Sequence, residues 1–142
     1  MMTLHIDRPS LLLLEDDARL APLVVEILQE EYDVTWVQDG GRALQVGAGG
    51  QFDLLVLDRR VPTLDGLDVV RQLRGAQVSA PILVLSALVT SADTDAAIHA
   101  GADDCLGKPF EIEELLRRLR ALRPTSRVAE REAHKAMSRE LR

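Results

Sequence analysis

The sequence has few aromatic residues and a single cysteine. Aromatic side chains make up 3% of the 142 residues, and the one cysteine is Cys105. A core built from this composition must be largely aliphatic, and a surface that binds nucleic acid by stacking its bases is not expected. One thiol excludes an internal disulfide and is typical of a protein that stays in a reducing compartment.

Long apolar runs and an excess of positive charge are also missing. No run approaches the roughly 20 apolar residues that a membrane-spanning helix needs. The first ten residues lack the apolar centre of a secretion signal. The net charge of −6 argues against non-specific binding to nucleic-acid phosphates. We therefore expect a cytoplasmic protein that has no membrane segment and does not itself bind nucleic acid.

The sequence does contain a regular alternation of strand-like and helix-like segments. Short runs of apolar and strand-forming residues recur at 10–14, 32–37, 52–57, 81–85 and 104–107. Helical spacing of apolar residues, with Gly or Pro at the ends, marks 18–28, 42–46, 67–73, 90–100 and 111–122. This alternation predicts an α/β fold in which a five-stranded parallel sheet is doubly wound, with helices on both faces.

Reactive side chains follow the carboxyl ends of four predicted strands. They are Glu15, Asp16 and Asp17 after the first, Asp58 after the third, Ser86 after the fourth and Lys108 after the fifth. In such sheets ligands bind outside these ends. Converging carboxylates repel one another unless a cation is present, and Mg²⁺ prefers oxygen ligands of this kind. A carboxylate there would act as a nucleophile toward a phosphoryl group, whereas Asp17 is expected only to cap the first helix.

Four stretches, in this order, resemble the receiver domain of two-component response regulators. They are LLLLEDD at 11–17, DLLVLDRRVPTLDG at 53–66, PILVLSA at 81–87 and GADDCLGKPF at 101–110. The resemblance covers about residues 10–122 and implies a flavodoxin-like sheet with strand order 2-1-3-4-5. We accordingly expect a receiver domain over residues 1–123. Pro124 breaks the last helix, and residues 124–142 are expected to form a linker or short helical tail.

The resemblance implies a role for each matching position. Asp58 would be the phosphoacceptor. The expected ligands of Mg²⁺, or of Mn²⁺ in its place, are the carboxylates of Glu15, Asp16 and Asp58 and the backbone carbonyl of Arg60. The expected phosphoryl-binding and switch residues are Ser86 and Lys108, and the matching loop residues are Pro62, Gly66 and Pro109.

The resemblance also implies what such a chain does. A receiver takes a phosphoryl group from a histidine kinase or a phosphotransfer protein and then switches a protein-interaction face. That face is formed by the fourth helix, the fifth strand and the fifth helix, and a homodimer through it is expected, as is an output domain beyond residue 142. The chain would be a regulatory phosphoacceptor rather than an enzyme, catalysing at most its own phosphorylation and dephosphorylation.

Two departures from the family pattern keep a second hypothesis open. Cys105 stands where the family usually carries a Tyr or Phe that rotates inward on activation, and a small thiol cannot reproduce that movement. Arg59 and Arg60 follow the acceptor where apolar residues are commoner, and a guanidinium there would pair with the phosphoryl group or with Glu15. The alternative is an interaction module that keeps the receiver fold but is not phosphorylated. Two enzymes of similar architecture are disfavoured: a flavin carrier because acids follow the first strand, and a haloacid-type phosphatase because residue 60 is not aspartate.

Overall fold

The computed structural model describes residues 8–87 and 90–122, and these form an alternating series of five strands and five helices. The strands are β1 (Ser10–Leu14), β2 (Asp33–Val37), β3 (Leu54–Asp58), β4 (Ile82–Ser86) and β5 (Asp104–Gly107). The helices are α1 (Ala21–Leu28), α2 (Gly40–Gly49), α3 (Gly66–Gly75), α4 (Ser91–Ala100) and α5 (Ile112–Ala121). The tail predicted over residues 124–142 lies outside the described residues.

All five strands are parallel, and their order across the sheet is β2-β1-β3-β4-β5. The predicted strand order is therefore confirmed. Every residue of β3 and β4 is buried, as are Leu11 to Leu14 of β1. Unbroken aliphatic runs suit these central strands because helices cover both of their faces.

Two apolar clusters fill the space on the two sides of the sheet. One joins the sheet to α2, α3 and α4 and includes Leu12, Leu55 and Val69. The other joins the sheet to α1 and α5 and includes Leu13, Val24 and Leu115. None of the helices in residues 8–87 and 90–122 is both long enough and apolar enough to cross a membrane.

The helix α4 buries smaller side chains than the helix α3 on the same side of the sheet. Its buried residues are the small Ala97 and Ala100, and the larger Ile98 is 46% exposed. The helix α3, which is equally long, buries several larger side chains, among them Leu67 and Leu73. Burial of apolar side chains is the main source of packing energy. We therefore expect burial to stabilise α4 less than it stabilises α3.

The largest differences from the predicted helix boundaries are in α1 and α2. The helix α2 runs to Gly49, through Gly47, where the sequence predicts that the glycines end the helix. A Cβ at Gly47 would lie 3.1 Å from Leu73 and 3.3 Å from Leu12, so the missing side chain lets α2 approach the sheet closely. The helix α1 begins at Ala21, one turn later than predicted.

The prediction that Asp17 caps α1 is wrong in its detail. The Asp17 carboxylate accepts hydrogen bonds from the backbone N–H groups of Arg19 and Leu20, which belong to the turn before the helix. The residue at the helix N-cap is Leu20, which makes no side-chain capping bond. The preceding turn therefore uses the carboxylate that the sequence pattern assigns to the helix.

Candidate functional site

The carboxyl ends of four adjacent strands meet at one edge of the sheet. The register pairs Leu14 with Leu57, Asp58 with Leu85 and Ser86 with Gly107. Because parallel neighbours end at the same edge, the residues that follow them become neighbours although they are far apart in sequence. The edge carries Glu15, Asp16, Asp58, Ser86 and Lys108, as the sequence predicts.

Three carboxylates form a compact group at this edge. Glu15, Asp16 and Asp58 each offer an oxygen, and these oxygens all lie within 4.8 Å of one another. Glu15 is 1% exposed and Asp58 is 5% exposed, whereas Asp16 is exposed. The group thus runs from a buried floor to an open mouth. Oxygen donors in this number fit a hard divalent cation such as Mg²⁺ that keeps part of its water shell.

Lys108 brings a positive charge between the two buried carboxylates. Its Nζ donates hydrogen bonds to Glu15 Oε1 at 2.6 Å and to Asp58 Oδ2 at 2.8 Å. The Lys108 backbone N–H donates to the Ser86 carbonyl at 2.7 Å, which fixes the start of the β5–α5 loop to the end of β4. The next peptide bond, Lys108–Pro109, is cis.

Burial and charge act on these groups in opposite directions. Burial raises the pKa of Glu15 above its ordinary value, and the neighbouring Asp58 adds to this effect while the Lys108 hydrogen bond opposes it. Burial alone would lower the pKa of Lys108, but its hydrogen bonds to Asp58 and Glu15 outweigh that effect and the pKa is raised. Lys108 is therefore a cation at neutral pH, placed to balance negative charge in the site.

Glu15 is held in place from its backbone as well as its side chain. The indole N–H of Trp36 donates to the Glu15 carbonyl at 2.8 Å, and the Asp17 N–H donates to Glu15 Oε2 at 3.2 Å. The contact with Trp36 comes from the neighbouring strand β2. The sequence pattern gives no sign of this hydrogen bond.

The loop after β3 brings its backbone against the acceptor position. A Cβ at Gly66 would lie 2.3 Å from the Asp58 carbonyl oxygen and 2.8 Å from Arg59 Cα. The Gly66 N–H donates to the Arg59 carbonyl at 2.7 Å, and the Pro62 carbonyl accepts from Gly40 and Leu64. Only glycine fits at residue 66, so the match to the family's loop has a steric cause.

Three further predicted site residues lie around the carboxylates. Ser86 is 4% exposed at the end of β4, next to the carboxylates. Arg60 lies exposed in the loop after β3, and its carbonyl remains a predicted metal ligand. Pro109 follows the cis bond at the rim of the site.

Arg59 pairs with a residue of α4 and not with Glu15, while the pairing of a guanidinium with the phosphoryl group stays a prediction. Its guanidinium forms an ion pair with Asp93 of α4, with Nη1 at 3.0 Å from Oδ1. The Arg59 N–H bonds to the Leu85 carbonyl, which directs this segment toward β4 and the helix that follows it. The Glu15 carboxylate forms its ion pair with Lys108.

Cys105 is a buried packing residue. It is 3% exposed and belongs to the cluster under α2, α3 and α4. Burial raises the pKa of its thiol, and the adjacent Asp104 carboxylate raises it further. The thiol is therefore poor in thiolate at neutral pH, as is typical of a buried cysteine in apolar surroundings.

Comparison with known proteins places this geometry in context. The family model described as the response regulator receiver domain matches residues 11–120. The response regulator ArlR of Staphylococcus saprophyticus is 39% identical over 114 residues, which are 80% of this chain and 51% of that protein. The chain thus spans about half the length of this curated relative.

Two solved structures share the fold, one with bound magnesium and one activated with BeF₃. The receiver domain of the Pseudomonas aeruginosa sensor histidine kinase PA1611, with magnesium coordinated in its active-site cleft, is 31% identical with a TM-score of 0.73. The alignment covers 80% of this chain and 96% of that one. The BeF₃-activated receiver domain of Klebsiella pneumoniae RstA is 34% identical with a TM-score of 0.74 over 80% of this chain and 98% of that one.

Proposed function

The chain belongs to the response regulator receiver domain family, and from this membership we propose that Asp58 accepts a phosphoryl group from a histidine kinase or a phosphotransfer protein. One observation carries the assignment. The Asp58 carboxylate is buried, lies within 4.8 Å of Glu15 and Asp16 oxygens, and accepts a hydrogen bond from Lys108 at 2.8 Å. A carboxylate among acids and one lysine suits a nucleophile that needs a metal ion to receive an anionic group.

The residues at this edge divide the work of the transfer. Glu15, Asp16, Asp58 and the Arg60 carbonyl would hold Mg²⁺, or Mn²⁺, which when bound offsets the charge of the phosphoryl oxygens. An Asp58 oxygen attacks phosphorus, while the bond from phosphorus to the donor's histidine nitrogen breaks and the nitrogen keeps the electron pair. The Lys108 ammonium donates a hydrogen bond to one phosphoryl oxygen, and the Ser86 hydroxyl donates a hydrogen bond to another.

The proposal extends to what the transfer controls. The phosphoryl group would change the face made by α4, β5 and α5, where we place a homodimer contact and the coupling to an output domain beyond residue 142. The chain is then a regulator whose only catalysis is its own phosphorylation and dephosphorylation. We place it in the cytoplasm, where kinases that use ATP produce phosphohistidine, and its single unpaired cysteine agrees with that compartment.

The alternative is a receiver-like interaction module that is never phosphorylated. Its support is the small Cys105 at the switch position and the Arg59–Arg60 pair after the acceptor. The complete set of three carboxylates and one lysine favours phosphorylation, because buried acids without a function would more simply be replaced by apolar residues.

Labelling with a small-molecule phosphodonor tests the proposal. With acetyl phosphate and Mg²⁺, intact mass measurement should show one phosphoryl adduct on the wild type and none on Asp58→Asn. Asp33→Asn is the matched control, because Asp33 is exposed on β2 at the far side of the sheet, and it should label normally. Removal of Mg²⁺ with a chelator should abolish labelling. Equal labelling of wild type and Asp58→Asn would overturn the assignment, and no labelling of either would favour the interaction module.

A further inference from the structure

The Arg59–Asp93 ion pair joins the acceptor loop to the first turn of α4. The two groups are 3.0 Å apart, and their side chains are 24% and 26% exposed. Arg59 directly follows Asp58, and Asp93 is the third residue of the helix. The ion pair therefore connects the phosphoacceptor position with the helix at the edge of the proposed switching face.

Asp93 is at the same time part of the α4 cap. The Thr90 hydroxyl donates to Asp93 Oδ2 at 2.6 Å, and the Asp93 N–H donates to Thr90 Oγ1 at 3.1 Å. Hydrogen bonds from Thr90 and from Arg59 hold the pKa of Asp93 below its usual value, so the carboxylate is charged at neutral pH. A change in the contact between Arg59 and Asp93 therefore affects the hydrogen bonds that cap the N-terminus of the helix.

The packing of α4 makes this contact matter more than an ordinary surface ion pair. The buried residues of the helix are Ala97 and Ala100, so small side chains hold it against the sheet. Both partners act on the pKa of Cys105, which Arg59 lowers and Asp93 raises, against a larger effect of burial.

On the basis of the proposed function, we propose that Arg59 and Asp93 form a latch that holds α4 in the unphosphorylated state and opens when Asp58 is phosphorylated. The phosphoryl group adds a charge of about −1.5 to −2 and three acceptor oxygens one residue away from Arg59. Arg59 contacts Asp93 through a single nitrogen, whereas the phosphoryl group carries more negative charge and offers acceptors for two parallel hydrogen bonds from the guanidinium. Arg59 turns to the phosphoryl group, and the first turn of α4 loses its ion pair with the segment after β3.

Beryllofluoride with Mg²⁺, a phosphoryl mimic, tests the latch. The Asp93→Asn variant lacks the charge that retains Arg59, so it should bind beryllofluoride about two- to fivefold more tightly than the wild type. In the wild type, beryllofluoride should speed the hydrogen exchange of the backbone amides in the first turn of α4. In Asp93→Asn, these amides should exchange fast both with and without beryllofluoride. Asp93→Glu keeps the charge and should restore wild-type affinity.

A neighbouring carboxylate supplies the control. Asp95→Asn removes an exposed charge from the same helix and should leave beryllofluoride affinity unchanged. A purely structural role for Asp93 would change the stability of free and bound protein alike and leave the affinity ratio at one, which would overturn the latch. If beryllofluoride does not bind the wild type and acetyl phosphate does not label it, the proposed function fails together with the latch. Binding to the wild type without an effect of Asp93→Asn refutes the latch alone.

Discussion

Replacing Lys108 with methionine would remove the cation that lies between two buried carboxylates. Methionine keeps the length and apolar stem of the side chain, so the change is chiefly one of charge. Glu15 and Asp58, with side chains 2% and 7% exposed, would then face each other without the ammonium that now bonds to both. The site would hold three acids and no cation.

The expected loss of unfolding free energy is about 3 kcal/mol at pH 8 in the absence of metal. Breaking a buried ion pair by removing one partner costs about 3–5 kcal/mol. The lower end applies because Lys108 is 22% exposed and Glu15 can take up a proton. The pKa of Glu15 is already raised by burial, and without the opposing lysine it rises further. The folded state then binds protons more readily than the unfolded chain, so the unfolding free energy of the variant should increase as the pH falls.

Urea unfolding at several pH values, with and without Mg²⁺, measures this effect. The variant should recover stability toward pH 5 more steeply than the wild type does, and Mg²⁺ should stabilise it because the metal replaces the missing cation. Arg120→Met is the control: it breaks an ion pair with Glu31 whose partners are 53% and 27% exposed, and it should cost less than about 1 kcal/mol. A Lys108→Met loss as small as that of Arg120→Met, or one independent of pH, would refute the reasoning.

Two further predictions concern the acceptor loop and the switch position. Gly66→Ala should lower the unfolding free energy by about 2–3 kcal/mol, since its Cβ would meet Asp58 and Arg59 backbone atoms. Gly75→Ala in the same helix meets nothing within 4 Å and should be neutral or stabilising by up to about 1 kcal/mol; equal losses in urea unfolding would contradict the steric account. Cys105 should react with a thiol reagent far more slowly in the native protein than in urea at pH 8, because it is buried and its pKa is raised. Native and unfolded rates that agree would show that the thiol is accessible.

The sheet and most of the site follow from the sequence because they depend on local pattern. The runs that form β1 and β5 have the predicted bounds. The acids at the ends of β1 and β3 come together at the predicted edge of the sheet. The order of the strands comes from the resemblance rather than from spacing. The acceptor, the metal residues and the switch roles remain predictions for the experiments above.

What the sequence pattern misses depends on contacts between distant segments. Glycine is a poor helix former, yet Gly47 lies inside α2 because close packing against Leu12 and Leu73 needs a residue without a side chain. The ion pair of Arg59 with Asp93 is not foreseen because it joins the segment after β3 to a helix 34 residues later in the chain. The bond from Trp36 to the Glu15 carbonyl could not be foreseen either, since it depends on how β2 lies beside β1.

The order in which the chain is synthesised gives the Lys108 contacts a further consequence. Glu15 and Asp58 leave the ribosome before Lys108, which is 93 and 50 residues later in the chain. A nascent chain that ends after β4 therefore carries the acids without their balancing ammonium and lacks the strand at one edge of its sheet. Because Lys108 directly follows β5, the strand that completes the sheet and the ammonium that balances the acids become available together.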